Sequence, residues 1–167
     1  MKFDEEAVRQ EIQNAHPNTK FYFGCDSRKF RKKNGEFFAS YATVILVHLE
    51  GNHGCKVFGQ IEKERLYNNS MKMRLLTEVR KVCDMVLKFQ DDLADREFEV
   101  HLDINSNDKE KSNVALKEAT GYVLGLVNVY PKFKPDAFAS SAAADCFEGK
   151  AENIPKRKYN TFLKKAA

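Results

Sequence analysis

Phe21-Tyr22-Phe23-Gly24-Cys25-Asp26 is an apolar run closed by a carboxylate, and the run from Phe98 to Leu102 is closed the same way by Asp103. Each reads as a β-strand with an acid at its mouth. Acidic residues are depleted in strands and are rarely fully buried without a partner. A third acid, Asp145, sits just inside the small-residue segment Ser140-Ser141-Ala142-Ala143-Ala144, and a fourth, Glu78, lies on the border of the apolar face of the longest expected helix. Several acids at element ends suggest a shared cation.

Working outward, residues 4–15 carry Ala7, Val8 and Ile12 among charges, which predicts a short amphipathic helix, broken by Pro17-Asn18. A meander follows, with strands expected over about 20–26, 36–49 and 55–62. Asn34-Gly35 makes the first hairpin turn, and Gly51 to Gly54 the second. From about 68 to 93 the period changes. Met71, Leu75, Leu76, Val79, Val82, Cys83, Val86 and Leu87 recur at helical spacing. A fourth strand is expected over about 97–104, a helix over about 112–128, a short strand around 132–138, and a last helix from about 141 with Ser140 as its N-cap.

Three antiparallel strands followed by helix, strand, helix, strand, helix describe an α/β fold with a mixed five-stranded sheet and helices on both faces. A right-handed crossover places strand four parallel to strand one and beside it. Asp26 and Asp103 then become neighbours, at strand ends of the kind where open α/β sheets bind ligands. Gly24 shares a strand face with Asp26.

At 167 residues the chain reads as a single domain over residues 1–150, with a basic tail over 151–167. Hydrophobic residues make up 43% and charged residues 31%, a composition that fits a globular protein. No apolar run approaches the ~20 residues that span a bilayer, and the acidic start lacks the pattern of a signal peptide. Cys25, Cys55, Cys83 and Cys146 are scattered without a C-x-x-C pair. That argues against zinc and fits reduced thiols in a cytoplasmic protein. No phosphate-cradling glycine loop is present, and Gly121-x-x-x-Gly125 reads as close helix–sheet packing. The net charge of +4 is concentrated in Arg28, Lys29, Arg31, Lys32 and Lys33, and in a tail containing Lys156, Arg157 and Lys158. Such clusters neutralise phosphates; the plainer alternative is solvated surface.

Two carboxylates at close range repel unless a cation compensates. Mg²⁺ or Mn²⁺ suits oxygen ligands, and two such ions would serve phosphodiester hydrolysis.

The order of elements and acids resembles the ribonuclease H-like nuclease fold. In that superfamily the first strand ends in Asp, the first long helix carries Glu, the fourth strand carries Asp and the last helix another acid. Asp26, Glu78, Asp103 and Asp145 fall in those places. More narrowly, Gly24-Cys25-Asp26-Ser27, His101-Leu102-Asp103-Ile104-Asn105, Gly121 to Gly125 and Lys134 to Ser140 resemble the YkuK-type family of small ribonuclease H-like proteins, over about residues 20–148. The resemblance implies metal-dependent hydrolysis of DNA or RNA, or nucleic-acid binding without turnover. It departs from many ribonucleases H in having no histidine within residues 130–144.

Each acid has a plainer reading as well. Asp26 could form a turn with Ser27, and Asp103 an Asx-turn before Asn105. Asp145 and Glu78 could be solvated, and Glu62 or Glu64 could replace Glu78. His101 could orient a carboxylate or be a hydrogen-bonded structural histidine. Lys134 could contact phosphate or be a strand-edge lysine.

Overall fold

The structure, a computed structural model, describes residues 3–49, 54–107, 109 and 114–146, with Cys146 in backbone only. Its elements in chain order are α1 (Glu5–Asn14), β1 (Lys20–Arg31), β2 (Phe37–His48), β3 (Cys55–Leu66), α2 (Met71–Lys88), β4 (Phe98–Asn105), α3 (Leu116–Val127), β5 (Lys132–Lys134) and α4 (Phe138–Cys146). The sheet order is β3-β2-β1-β4-β5. β1, β2 and β3 are antiparallel neighbours, and β4 lies parallel to both β1 and β5.

Local chemistry sets the starts and turns. Asp4 caps α1 by accepting from the Ala7 N–H at 3.0 Å, and Ser70 caps α2 by accepting from Met73 at 3.3 Å. Gly35 turns the β1–β2 hairpin at φ +87°, a conformation that favours glycine. The Lys32 N–H donates to the Glu36 carbonyl at 2.9 Å across that turn.

Strand alternation divides β1 between two cores. Phe21, Phe23 and Cys25 face α1, α2 and α3, packing with Val8, Ile12, Val79, Val82 and Val123. Tyr22 faces the other way, where it joins Ala42, Val44 and Leu46 beneath Phe138, Ala139, Ala142 and Ala143 of α4. Gly24 lies on this second face, and α4 rests directly on it. A Cβ at Gly24 would stand 2.5 Å from the Ala139 carbonyl carbon and 2.7 Å from the Ser140 nitrogen. The α4 backbone therefore sits where any side chain at residue 24 would go. His101, beside Gly24 on β4, accepts the Ala139 N–H on Nδ1 at 3.2 Å. Burial pushes its imidazole below the usual pKa, and Nε2 lies 3.0 Å from Glu99. This is the structural-histidine reading, with the ring tying β4 to α4.

Several sequence expectations are corrected. β1 runs to Arg31 and β3 to Leu66, so Arg28, Lys29 and Arg31 lie within a strand and only Lys32 and Lys33 in the turn. Cross-strand pairing sustains this extension, continuing unbroken from Lys20↔His48 to Arg31↔Phe37. β5 stops at Lys134 and α4 begins at Phe138, so Ser140 is not the N-cap. It lies inside the helix, buried, with Oγ donating to the Ala137 carbonyl at 2.7 Å. Gly121 and Gly125 do not pack on the sheet; both are exposed, and a Cβ added at either would meet no neighbour within 4 Å. The turn at 51–53 and the tail with Lys156, Arg157 and Lys158 lie outside the described residues. Cys25 and Cys83 are buried free thiols and Cys55 is a half-buried one. No helix among the described residues is long and apolar enough to cross a membrane.

Gly24→Ala should destabilise the chain by at least the ~1–3 kcal/mol typical of overpacking, because the obstacle is backbone rather than a movable side chain. A lowered urea midpoint with an unchanged slope is the expected observation.

Candidate carboxylate site

The parallel pairing of β1 with β4 runs from Phe21↔Phe98 to Cys25↔Leu102. The next residue on each strand is Asp26 and Asp103, so the two carboxylates end their shared ladder side by side. Both are half-buried. Alternation sets them on the α4 face, in line with Gly24 and His101. Burial pushes Asp26 up to about 6, and the neighbouring Asp103 charge adds to that.

Glu78 reaches the site from α2, on the opposite face of the sheet. It is 3% exposed, so it is not the solvated residue of the plainer reading. Burial pushes its carboxyl up to about 8; the hydrogen bond from Ser27 opposes this, while Asp26 and Asp103 add to it. Ser27 Oγ donates to Glu78 Oε1. Arg74, one helical turn before Glu78, donates to the Ser27 carbonyl at 2.9 Å and lies 3.5 Å from Glu78. Glu62 and Glu64 do not take the place of Glu78. They pair instead with the buried Lys81, at 2.9 and 2.6 Å, on the α2 side of the sheet.

Lys134, at the end of β5, forms an ion pair with Asp103 Oδ1. That oxygen is buried and has no hydrogen bond of normal geometry. Asp145 lies half-buried in the last turn of α4. The charges that most perturb Asp26 are those of Asp103, Arg74 and Lys134, and those that most perturb Glu78 are Asp26, Arg74 and Asp103; Asp145 is in neither set. Among the described residues, no three carboxylate, imidazole or thiol groups are gathered as a ready ligand set.

The Asp26–Asp103 pair nevertheless has the chemistry of a hard-cation site. Its donors are all oxygen, and its buried Asp103 oxygen draws the Lys134 ammonium, so positive charge already stands where a cation would sit. The Ser27–Arg74–Glu78 contacts were not anticipated from sequence. The i, i+4 spacing of Arg74 and Glu78 was the available signal, but only the strand face of Ser27 reveals what they hold.

In the absence of divalent cation, the acids impose a definite pH dependence. Folded Glu78 and Asp26 hold their protons to about pH 8 and 6, against ordinary values of 4.5 and 3.8. The unfolded chain binds fewer protons across that window, so stability should fall as pH rises from about 4 to about 8 and level off above. Glu78→Gln retains an acceptor for Ser27 and should flatten this slope while raising stability at pH 8. Urea unfolding in EDTA across the pH range would measure it, and an unchanged slope in the variant would contradict the assignment.

Comparison with known proteins bears on the family and not on the individual acids. A family model described as Ribonuclease H-like matches residues 5–148. No curated protein matches. Among solved structures, the crystal structure of prototype foamy virus protease-reverse transcriptase matches with 12% identity and a TM-score of 0.41, covering 81% of this chain and 21% of that one. The chain thus spans about a fifth of that protein, and a likeness at this level carries no argument. The family match covers nearly the whole described fold, and the mixed sheet with its paired strand-end acids has the topology expected of it: the chain belongs to the ribonuclease H-like family.

Proposed function

We propose that the chain is a divalent-metal-dependent nuclease that hydrolyses phosphodiester bonds of DNA or RNA. The observation that carries this reading is the Asp26–Asp103 pair at the end of the β1–β4 ladder, held in a family associated with nucleases and nucleic-acid binding. The stretches His101 to Asn105 and Lys134 to Asp145 also support a YkuK-type relationship.

In this reading Asp26 and Asp103 would hold Mg²⁺ or Mn²⁺, Asp145 would complete the ligand set, and Glu78 would assist by holding a metal or positioning water. When bound, the metal supplies Lewis acidity to the phosphodiester and lowers the pKa of water. The chain's own residues provide placement. Arg74 and Ser27 fix Glu78 from the α2 side. Lys134, once exchanged from Asp103, is placed to meet a substrate phosphate. Arg28, Lys29 and Arg31 on β1 and Lys32 and Lys33 in the turn that follows supply positive charge leading away from the acids, and Lys156, Arg157 and Lys158 of the tail sequence would add further charge. Catalysis is then positioning and electrostatic stabilisation, with no covalent intermediate. A cytoplasmic location with reduced thiols accompanies this reading.

A second reading, nucleic-acid binding without turnover, draws on the approach of Glu78 from the sheet face opposite to that of Asp26 and Asp103 and on the lack of a gathered ligand set among the described residues. The two readings part on one experiment. Purified protein is incubated with single strands, duplexes, hybrids and branched junctions in Mg²⁺ or Mn²⁺. A nuclease cuts at least one of them, and Asp103→Asn lowers the rate by about 10²-fold or more while retaining binding. Cleavage of none, or equal cleavage by Asp26→Asn and wild type, would end the nuclease reading, and binding without cleavage would leave the binding module standing.

A further inference from the structure

Beyond Asp26 the paired strands continue to Arg31 on β1, Phe37 on β2 and Leu66 on β3. Alternation from Asp26 places Arg28, Phe30 and Lys32 on the α4 face of β1. Register adds Phe38 and Ser40 of β2, and Ile61, Lys63 and Arg65 of β3, to that same face. Phe30 and Phe38 are cross-strand partners whose rings stack with centroids 5.8 Å apart and planes inclined by 25°. Their rings are met by lysines. Lys32 Nζ stands 3.8 Å from the Phe38 ring centre, and Lys63 Nζ stands 6.0 Å from that of Phe30.

The charge is sorted by face. β3 reads Glu62-Lys63-Glu64-Arg65, so its acids turn toward Lys81 and Arg80 of α2 while its bases turn outward beside the two phenylalanines. The acid on this outer face near the turn is Glu36, and it is paired with Arg65 at 2.7 Å. Lys32 and Lys63 stand as a positive border at the pair of aromatic rings, with Arg28 on the same face of β1. Phe30 lies four residues beyond Asp26 on the same face, about 13 Å at ~3.3 Å per residue.

We propose that this face is a binding platform for single-stranded nucleic acid, on which unpaired bases stack on Phe30 and Phe38 while the backbone phosphates take up Lys32, Lys63 and Arg28. The inference deepens the nuclease reading by naming its substrate class, and it rests on that reading only for the direction in which the strand runs, toward Asp26 and Asp103. Cation–π contacts hold the lysines over the rings in the free chain. A base offers the ring face a larger partner, and its phosphate offers the ammonium an anion, so both groups exchange one partner for a better one. A duplex, whose bases are already stacked and paired, cannot use the rings, and this is what makes the platform selective.

The test measures binding in EDTA, so that cleavage does not enter, using fluorescent single-stranded DNA and RNA oligonucleotides and a blunt duplex of the same sequence. Wild type should prefer the single strands. Phe30→Leu with Phe38→Leu keeps apolar burial but removes the stacking planes, and should weaken single-strand binding by about 10–100-fold with little change in salt dependence. Lys32→Gln with Lys63→Gln should instead lower the slope of log affinity against log salt by about 0.7 per lysine. The chain contains no tryptophan, so Phe38→Trp introduces a single indole whose fluorescence should be quenched by single strands and not by duplex; if the leucine pair fails to fold, this quench decides alone. Equal affinity of wild type for duplex and single strand, unchanged binding by a folded leucine pair, or an unquenched indole overturns the platform. Selective binding that depends on the phenylalanines, without cleavage in Mn²⁺, would retain the platform and end the nuclease reading. Cleavage that ignores the phenylalanines would do the reverse.

Discussion

The parallel ladder between β1 and β4 is the constraint on which the rest of the molecule depends. It joins segments far apart in the chain, and its last pair, Cys25↔Leu102, delivers Asp26 and Asp103 to the same edge of the sheet. The helices on the two faces then have separate tasks. α2 buries its apolar stripe against Phe21, Phe23 and Cys25 and brings Glu78 up to Ser27. α4 closes on Gly24 from the other side, and its alanines allow that approach because longer side chains would hold the two backbones apart.

Like charges gathered at low dielectric must be relieved by protons or by cations. Here both are used. Glu78 is pushed toward its protonated form by burial and by Asp26 and Asp103, and Asp26 by burial and by Asp103, while Arg74 and Lys134 supply positive charge from α2 and β5. Removing acids from such a site relieves the folded state, so it works against stability at neutral pH. A fold that keeps it carries a cost that binding a cation would offset. The same sorting of charge extends along β3, where alternation sends Glu62 and Glu64 inward to Lys81 and leaves Lys63 outward beside Phe30.

Much of the fold could be read from residue patterns. Strand alternation, the Asn34-Gly35 turn and the helical spacing from Met71 to Leu87 place the strands and helices in order, and the handedness of the crossover predicts the β1–β4 neighbours. The misreadings have a common origin in tertiary override of local signals. Arg28 to Arg31 look like a loop by charge, yet pairing with Phe37 to Ser40 holds them as strand. Ser140 has the composition of a cap, yet contact of Phe138 and Ala139 with the sheet begins the helix earlier. Gly121 and Gly125 suggest close packing, yet they face solvent on α3.

By itself the sequence determined which acids are available, which strand ends carry Asp26 and Asp103, and that Gly24 shares a sheet face with Asp26, because these follow from period and from order along the chain. Only the tertiary structure decided that Glu78 is buried against Ser27 and Arg74, that Lys134 meets Asp103, and that Phe30, Phe38, Lys32 and Lys63 share a surface with the carboxylate pair. Those are contacts between elements, fixed by strand register and helix placement. A shift of one residue in register would turn each strand side chain to the other face of the sheet, and no local pattern in the chain reports that register.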